Sequence, residues 1–557
     1  MKTNYKSLML LAAATLGLGF FSACEDDSEE TMSRLFRPVV SEDKIVLGLD
    51  ANEIPYATIN WDAYENAEKY ELIVTATDGS AEYTVVSDSS AHTFKNLAYD
   101  LEYNLKIKAI NEKSGLESKY YETSFVTLDF PTMLMNIGSS DVIDTEFRAK
   151  WDVNEGETIY DSLKVYHVNK DSLVAAVEVT EDALAAGELI IGGLSPKTDY
   201  RLEAWLGDVY KGKKLFKTVE SENHEGYVID LRVEDDGTSI SNLVANALTE
   251  HPDENITIVF KGGVTYKMSG IKLSTSTTGT LKFVTGLSLE GLAELAVEGN
   301  FDSNADVNFG GIHLDKIFFT EGVSGKKKTE GNYGGTYLFN FGGAGARIEN
   351  ILITNCTIKY KRGILRMKDN GKTIGSFVMD NCVVDSIGGY GITNHDNGEA
   401  VINNITITNS TFSNCAKLFV GSKGADAIES INIENCTFVY CLGSGGSFVD
   451  YKDKNIPTFN VKNCLFGKSG ETSVFEGMAA YVKGYNGPQP NCVGCYATSD
   501  YLWCTTDGAT PSNELTLDAT LSATTDELFV APKESDFTFT SHEDVKEAKK
   551  AGDPRWK

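Results

Sequence analysis

The sequence is poor in positive charge, in histidine and in long apolar runs. Fifty lysines and arginines stand against 80 aspartates and glutamates, which gives a formal net charge of −30. That excess of acid excludes a general nucleic-acid-binding protein, because such proteins release counterions through net positive charge. The seven histidines are scattered and form no clustered metal site. Beyond the N-terminus, no apolar run approaches the ~18 residues that cross a bilayer.

What is abundant indicates a β protein. The chain has 51 glycines and 11 prolines among many short runs of Val, Ile, Phe and Thr, a pattern typical of strands joined by tight turns. A hydrophobic fraction of 41% excludes wholesale disorder. The length of 557 residues suits several small domains, or small domains followed by a long solenoid.

The N-terminus predicts export. Lys2 and Lys6 precede an apolar stretch that ends in two small residues just before Cys24. Residues 1–23 are therefore interpreted as a signal peptide. Small residues before a cysteine resemble a bacterial lipobox, which implies cleavage before Cys24 and lipidation of that residue. The alternative is an ordinary cleavage site with an incidental cysteine.

Residues 24–35 form an acidic tether that begins Glu25-Asp26-Asp27. An acidic run directly after the lipidated cysteine resembles the surface-export signal of Bacteroidota lipoproteins. That resemblance implies a protein anchored by lipid in the outer membrane and exposed on the cell surface.

Two consecutive segments, 36–128 and 129–220, share one arrangement of core residues. Each has a leucine six residues before a tyrosine and, upstream, a tryptophan at a position typical of an early strand. The two sets are Trp61, Leu97, Tyr103 and Trp151, Leu194, Tyr200. The spacing resembles the tyrosine corner of fibronectin type III modules, which implies two β-sandwiches whose aromatic residues belong to their cores.

The region 225–557 has a different pattern of apolar residues. Apolar residues at helical spacing follow Thr238 and Ser239, either of which is a suitable N-cap. They are Ile240, Leu243, Val244, Ala247 and Leu248. A helix followed by strands and glycine-rich turns resembles the entry to a right-handed parallel β-helix, where it covers the open end of the solenoid.

A five-fold repeat supports that interpretation. Each copy is a short strand that ends in Asn-Cys or, once, Asn-Ser. The pairs are Asn355-Cys356, Asn381-Cys382, Asn409-Ser410, Asn435-Cys436 and Asn463-Cys464. One repeat is expected to form one coil, so that the asparagines stack as an amide ladder and the cysteines as buried thiols. A local disulfide that involves Cys492, Cys495 or Cys504 is compatible with the sequence.

The C-terminal sequence Ala551-Gly-Asp-Pro-Arg-Trp-Lys557 resembles the ending of pectin-lyase-like surface proteins from the same bacteria. Those proteins contain domains of unknown function and are often encoded with polysaccharide-utilisation genes. The predicted fold is therefore all-β: two fibronectin type III-like sandwiches followed by a right-handed parallel β-helix with an N-terminal capping helix.

A second strand in each repeat predicts a polar face. One outward column is expected to hold Arg366, Asn394, Gly421, Asp450 and Glu476, and its neighbour Lys368, Asp396, Lys423 and Lys452. Residues 357–372 carry six cations and one acid, and Lys326-Lys327-Lys328 lies just upstream. This basic island would attract an anionic partner, and the alternative is a solvated face balanced by neighbouring acids. The predicted substrate-binding residues are Lys361, Arg362, Asn394, Lys423, Asp450 and Lys452.

Three functions fit this pattern. The favoured one is non-catalytic binding of an anionic, pectin-like polysaccharide beside a glycan import apparatus. The second is a polysaccharide lyase that cleaves a uronate chain by β-elimination, with Arg366 or Lys368 as the base. Ca²⁺, held by acids among Asp380, Asp385, Asp396 and Asp450, would then neutralise the substrate carboxylate; no metal site or other cofactor is evident. The third is an adhesin.

Overall fold

The computed structural model describes residues 33–557 with internal gaps. The gaps are 154–158, 234, 236, 323–332, 334, 369–370, 397, 426–427, 443–447, 452–453, 471–481, 484–486 and 502–514. The predictions made for Cys24, Lys326–Lys328, Lys452, Glu476 and Cys504 lie outside the described residues. The chain divides into two compact units, one formed by residues up to Leu134 with 157–162 and 203–213, the other by the remainder.

The first sandwich packs a three-stranded sheet against a five-stranded sheet, with an apolar core between them. The strands of the smaller sheet are Ile45–Leu49, Pro55–Asn60 and Ala91–Phe94. Those of the larger sheet are Lys69–Ala76, Glu82–Ser87, Glu102–Asn111, Leu116–Glu117 and Tyr121–Val126. The predicted tyrosine corner is present: the Ala98 N–H donates to Tyr103 Oη at 2.9 Å, and the Tyr103 side chain is buried.

The second sandwich repeats this arrangement. Strands Glu146–Lys150 and Glu188–Gly192 form one sheet, and Leu173–Glu178, Ser162–His167, Asp199–Leu206 and Val209–Lys217 form the other in that order. A short helix, Glu181–Ala186, precedes Glu188–Gly192. The Ser195 N–H donates to Tyr200 Oη at 2.8 Å, which is the second tyrosine corner. Both sandwiches are fibronectin type III-like.

A parallel β-solenoid of about eight turns follows, and its coils stack three parallel sheets around one apolar core. Sheet A consists of Tyr227–Asp230, Ile256–Phe260, Thr277–Thr285, Asn308–Asp315, Arg347–Thr354, Thr373–Asp380, Val401–Thr408, Ser430–Glu434, Thr458–Lys462 and Asn491–Val493. Sheet B consists of Thr265–Met268, Ala293–Val297, Ile317–Glu321, Thr357–Lys361, Val383–Ile387, Thr411–Cys415, Thr437–Val439, Leu465–Phe466, Tyr496–Ala497 and Ala519–Thr520. Sheet C consists of Ile271–Leu273, Phe301–Ser303, Tyr337–Phe341, Gly363–Met367, Thr393–His395, Phe419–Val420, Val449–Asp450 and Val482–Lys483.

The capping helix is Ile240–Glu250, and it packs on the first strands of sheets B and C. The Ser239 side chain accepts a hydrogen bond from the Asn242 N–H, so Ser239 is the N-cap. Its apolar side joins the solenoid core and covers the open end of the stack. Across the described parts of the chain, no helix is long and apolar enough to cross a membrane.

Each of the five repeat asparagines occupies the turn from sheet A to sheet B. All have left-handed backbone conformation, with φ between 49° and 55°. The amide ladder forms in pairs: Asn381 Nδ2 donates to Asn355 Oδ1 at 2.7 Å, and Asn435 Nδ2 to Asn409 Oδ1 at 3.1 Å. It is interrupted between the pairs, because Asn409 Nδ2 donates to Asp380 Oδ1 at 2.8 Å instead of to Asn381. The repeat cysteines beside the ladder are free, buried thiols.

The last forty residues form a layer on the outer side of sheet B, which the sequence pattern did not predict. Helices Thr525–Leu528 and Val545–Ala548 and the hairpin Phe529–Ala531/Asp536–Phe539 enclose a second, smaller core. In the terminal motif, Asp553 Oδ2 accepts from Thr411 Oγ1 at 2.7 Å, and Trp556 Nε1 donates to the same hydroxyl at 2.8 Å. The C-terminus therefore fastens the layer to the solenoid wall. Short 3₁₀ turns lie at Glu42–Lys44, Ser139–Asp141, Pro532–Glu534 and Pro554–Trp556.

A histidine lies inside the core behind sheet C. His395 is buried, its ring stands edge-on to Tyr451 at 5.6 Å, and neither ring nitrogen has a hydrogen-bond partner among the described residues. Two glycines make room for these rings: a Cβ on Gly424 would lie 2.4 Å from His395 Nδ1, and one on Gly421 would lie 2.0 Å from Tyr451 Cε1. Burial lowers the pKa of His395 to about 4.

We expect this histidine to make the solenoid sensitive to acid. The unfolded chain takes up the proton near pH 6.5 and the folded chain near pH 4, so the folded state binds fewer protons between these values. The free energy of unfolding should fall by about 3 kcal/mol as the pH drops through this window. His395→Leu should remove that part of the slope in thermal unfolding followed by circular dichroism, whereas His251→Leu, at a partly exposed site, should keep it. An unchanged slope in His395→Leu would contradict the assignment.

At Asn435, the ability to adopt positive φ should contribute more to the free energy of unfolding than the ladder hydrogen bond does. Asn435→Ala loses the bond to Asn409 and places a residue without a polar side chain at positive φ, so unfolding should cost about 1–2 kcal/mol less. Asn435→Gly loses the same bond but adopts that φ freely, so its midpoint in urea should stay closer to that of the parent protein. Equal losses in the two variants would show that the ladder bond dominates.

Candidate functional site

The outer column of sheet C is set by the register of its strands. Asn340, Arg366, Asn394, Val420 and Asp450 are successive partners, and the backbone of Lys483 follows. The prediction that Gly421 lies in this column is therefore wrong, because Val420 occupies that position. Phe419 is the partner of Thr393 and faces inward, so this coil is shifted by one residue relative to the predicted alignment. Gly421 consequently lies beneath the Tyr451 ring.

Two arginines and two tyrosines from consecutive coils form the centre of this face. The Cζ atom of Arg362 lies 4.6 Å from the ring centroid of Tyr390 and 5.6 Å from that of Tyr337, and Arg366 lies 5.1 and 5.4 Å from the same rings. The rings are perpendicular, with centroids 5.1 Å apart. Cations at this distance are attracted to the ring faces. These residues are called the arginine–tyrosine cluster below.

Local backbone geometry fixes the cluster. Tyr390 follows two glycines and precedes Gly391, which has a φ of 69°. At Gly363, the first residue of the strand after Arg362, a Cβ would lie 2.8 Å from Tyr390 Cβ, so only glycine lets the two coils approach this closely. Burial raises the pKa of Tyr337 to about 12, and its phenol therefore stays neutral at physiological pH.

Asp396 neutralises part of the positive charge. Its Oδ2 accepts from Arg366 Nε at 3.1 Å, and its Oδ1 lies 3.0 Å from Lys423 Nζ. Although burial acts to raise the pKa of Asp396, the hydrogen bonds from Arg366 and Lys423 hold it below its usual range. Burial opposes the charge of Arg366, but the bond to Asp396 keeps the pKa of Arg366 above its ordinary value. Arg366 is therefore positively charged and already paired with Asp396.

Arg362 has no such partner. Among the described residues no carboxylate lies within ion-pair distance of it, its Nε is buried without a hydrogen-bond partner, and its Nη2 donates to Tyr390 Oη at a long 3.4 Å. Lys368, at the end of the same strand, is exposed. The site thus presents, beside a partly exposed aromatic ring, a guanidinium that has no ion-pair partner among the described residues.

Other predicted residues lie elsewhere. The Lys361 side chain is fully buried, with Nζ donating to Val297 O at 3.1 Å and Thr336 Oγ1 at 3.2 Å, so it cannot contact a ligand on the outer face. The preceding Tyr360 has a φ of 59°, which breaks the alternation of the strand and turns Lys361 inward. Burial lowers the pKa of Lys361 to about 8. Asn394 and Asp450 do lie in the outer column, but Asn394 is only 8% exposed.

The four acids considered for Ca²⁺ do not converge. Asp380 bonds to Thr408 and Asn409 at the turn from sheet A to sheet B, and Asp385 is buried in sheet B against Ser413 and Asn414. In the part of the chain that the structure describes, no group of three or more His, Cys, Asp or Glu side chains is arranged to hold a metal ion. The expectation that these acids lie near the sheet C face is therefore wrong for Asp380 and Asp385, whereas Asp396 and Asp450 do lie there.

The two tyrosines were missed by the sequence reasoning. Tyr390 stands in the run Gly388-Gly-Tyr-Gly391, where an aromatic residue among glycines indicates close packing of neighbouring coils. Tyr337 belongs to a coil without the Asn-Cys motif, since its turn from sheet A to sheet B is Asp315-Lys316. No repeat signal marks that coil.

Comparisons with known proteins match two domains of unknown function and assign no function. Residues 265–415 match the model of a domain of unknown function (DUF4957), and residues 431–556 match that of another (DUF5123). No curated protein matches the chain. A two-domain fibronectin type III segment from chicken tenascin is 16% identical over 33% of this chain and all of its own length, with a TM-score of 0.17. The FN1–FN3 domains of chicken CNTN1 are 14% identical over 30% of this chain and 60% of their own, with a TM-score of 0.13.

Proposed function

We propose that this protein is a surface lipoprotein that binds an extracellular anionic polysaccharide, of a pectin-like uronate type, through the outer face of sheet C. The observation that carries the proposal is Arg362, a guanidinium held over two tyrosine rings with no carboxylate partner among the described residues. A guanidinium can pair with a carboxylate through two parallel hydrogen bonds. A uronate supplies that group on every sugar.

The surroundings of Arg362 suit a sugar rather than a bare ion. The half-buried ring of Tyr390 offers an apolar surface to the C–H face of a pyranose, while Lys368 and Lys423 offer donors to hydroxyl or carboxylate oxygens. The column from Asn340 to Asp450 spans five coils at the strand spacing of about 4.8 Å and is polar except at Val420. An extended chain is the natural ligand of such a repeating surface.

Binding is favoured over cleavage by the state of Arg366. A base in β-elimination must first give up its own proton, and Asp396 acts to keep Arg366 protonated. Lys368 is the other base that a lyase would use, and it is exposed to solvent. Lipid attachment at Cys24 and the acidic tether would hold the protein at the cell surface, with the two sandwiches as spacers and a glycan import apparatus as the neighbour.

Affinity electrophoresis of the mature chain in gels containing homogalacturonan tests the proposal. The parent protein should be retarded, and Arg362→Gln should weaken retardation by at least about tenfold, since a charge-assisted contact is lost. Arg347→Gln is the matched control, because Arg347 lies on sheet A and pairs with Glu349. Neutral glycans should give no retardation, and added salt should reduce it.

The same mixtures separate the alternatives. Growth of ultraviolet absorbance from unsaturated uronate, with or without Ca²⁺, that disappears in Lys368→Ala would establish a lyase instead. Retardation that is equal in Arg362→Gln and Arg347→Gln would reject the arginine–tyrosine cluster as the binding site. If no glycan retards the protein or is cleaved by it, and a protein ligand retains it, the adhesin function would be favoured.

Asp396 should restrain binding while it stabilises the fold. Asp396→Asn removes the carboxylate that pairs with Arg366 and Lys423, so both cations become available to the ligand. We expect homogalacturonan to bind about fivefold more tightly and the melting temperature to fall, because a partly buried cation loses its partner. Lys423→Gln, which removes the exposed partner, should weaken binding with little change in melting temperature. Weaker binding by Asp396→Asn would mean that Asp396 itself contacts the glycan.

A further inference from the structure

A second polar site lies on sheet A, at the first coils of the solenoid. A cavity of about 400 Å³ opens on the outer face of this sheet. Its walls come from the segment that leads into the solenoid and from neighbouring positions of sheet A. The lining residues are Asn223, His224, Glu225, Asn255, Thr257, Thr280, Lys282 and His313. All eight residues carry polar side chains, unlike those of the apolar interior behind the same strands.

The floor is a column of three side chains. Thr257, Lys282 and His313 are register partners in consecutive strands, so their side chains share one face about 4.8 Å apart. Among the described residues, Lys282 has no carboxylate within ion-pair distance. The next two positions in the column are Leu352 and Val378. The polar set is therefore confined to the coils beside the entry segment.

The two histidines offer hydrogen-bonding capacity that the fold does not use. His224 is nine-tenths buried, and its Nε2 has no hydrogen-bond partner among the described residues; a carboxylate oxygen of Glu222 is 3.9 Å away. His313 Nε2 must donate to Thr354 Oγ1 at 3.0 Å, because that hydroxyl gives its own proton to Asp315 Oδ1 at 2.7 Å. The Nδ1 of neutral His313 is consequently left as an acceptor.

Burial and the nearby Lys282 both lower the pKa of His313, against an opposing effect of Asp315. Burial is also the main cause that lowers the pKa of His224, with Glu222 and Asp230 opposing it and Lys282 and Arg232 assisting it. Both rings are thus neutral near pH 7, each with one donor and one acceptor. Lys282 is then the fixed positive charge of the cavity floor.

We propose that this cavity binds a hydroxylated carboxylic acid of monosaccharide size, with its carboxylate on Lys282 and its hydroxyls on His224, His313 and the Asn223 amide. The exposed Glu225 side chain at the rim adds an acceptor for hydroxyl groups and disfavours a bare, multiply charged anion. The volume accommodates one sugar ring with its first waters. The site shares no residue with the arginine–tyrosine cluster and does not rest on polysaccharide binding there.

Isothermal titration calorimetry of the mature chain with D-galacturonate tests this site. Saturable binding should weaken at least about tenfold in Lys282→Met, which removes the charge but keeps the length of the side chain. His224→Gln should weaken it by a smaller factor, which keeps the test valid if one variant folds poorly. Lys267→Met is the matched control on sheet B and should bind as the parent does.

D-glucose and sulfate are the comparison ligands. Both should bind at least about tenfold more weakly than D-galacturonate, because D-glucose has no negative charge and sulfate has no hydroxyl groups. The proposal is overturned by absence of D-galacturonate binding, by equal binding in Lys282→Met, or by equal affinity for sulfate. Loss of binding in Arg362→Gln with retention in Lys282→Met would place the monosaccharide at sheet C instead.

Discussion

The left-handed turn between sheets A and B is the constraint on which the solenoid depends. Each repeat coil must pass there from one sheet to the next within two residues and still leave its strands in register with the coils on both sides. Asparagine meets this demand, because it tolerates positive φ and its amide bonds to the coil above or below. Once that residue is placed, the alternation of each strand decides which side chains enter the core and which form outward columns. The candidate sites are consequences of this register.

The same constraint explains how far the sequence could be interpreted. From Asn355 to Asn463 the motif recurs with almost constant spacing, and the coils, the buried cysteines and the column positions of Arg366, Asn394 and Asp450 follow from it. Before this stretch, Lys316 occupies the turn with a φ of 53°, and the coil that contributes Tyr337 carries no visible repeat. The register of Gly421 could not be derived either, since it depends on whether Phe419 or Val420 faces inward, and packing around Tyr451 decides that.

The charge of the basic island shows why composition is a poor guide to a site in a solenoid. Of its cations, Lys361 is buried in the wall, Lys359 lies 3.6 Å from Asp385, and Arg366 is paired with Asp396. These acids lie about one coil further along the chain, so a count within a short window cannot include them. What the window does contain is Arg362, whose surroundings are aromatic rather than acidic. To locate a binding site, the charges should therefore be summed over adjacent coils at one register position. That sum can be made only after the coils have been aligned.

The three faces of the solenoid have unequal access to ligands. Along its later coils, sheet B is covered by the C-terminal layer, which is fixed through Asp553 and Trp556 to Thr411. Sheets A and C carry the two sites, each beside a segment that departs from the regular coil: the entry segment at His224, and the glycine-rich turn at Tyr390. A regular coil offers only a repeating flat surface, whereas these departures add a wall or an aromatic ring above it. Specific recognition by this fold should therefore occur where the repeat is broken, because only there do side chains approach a ligand from more than one direction.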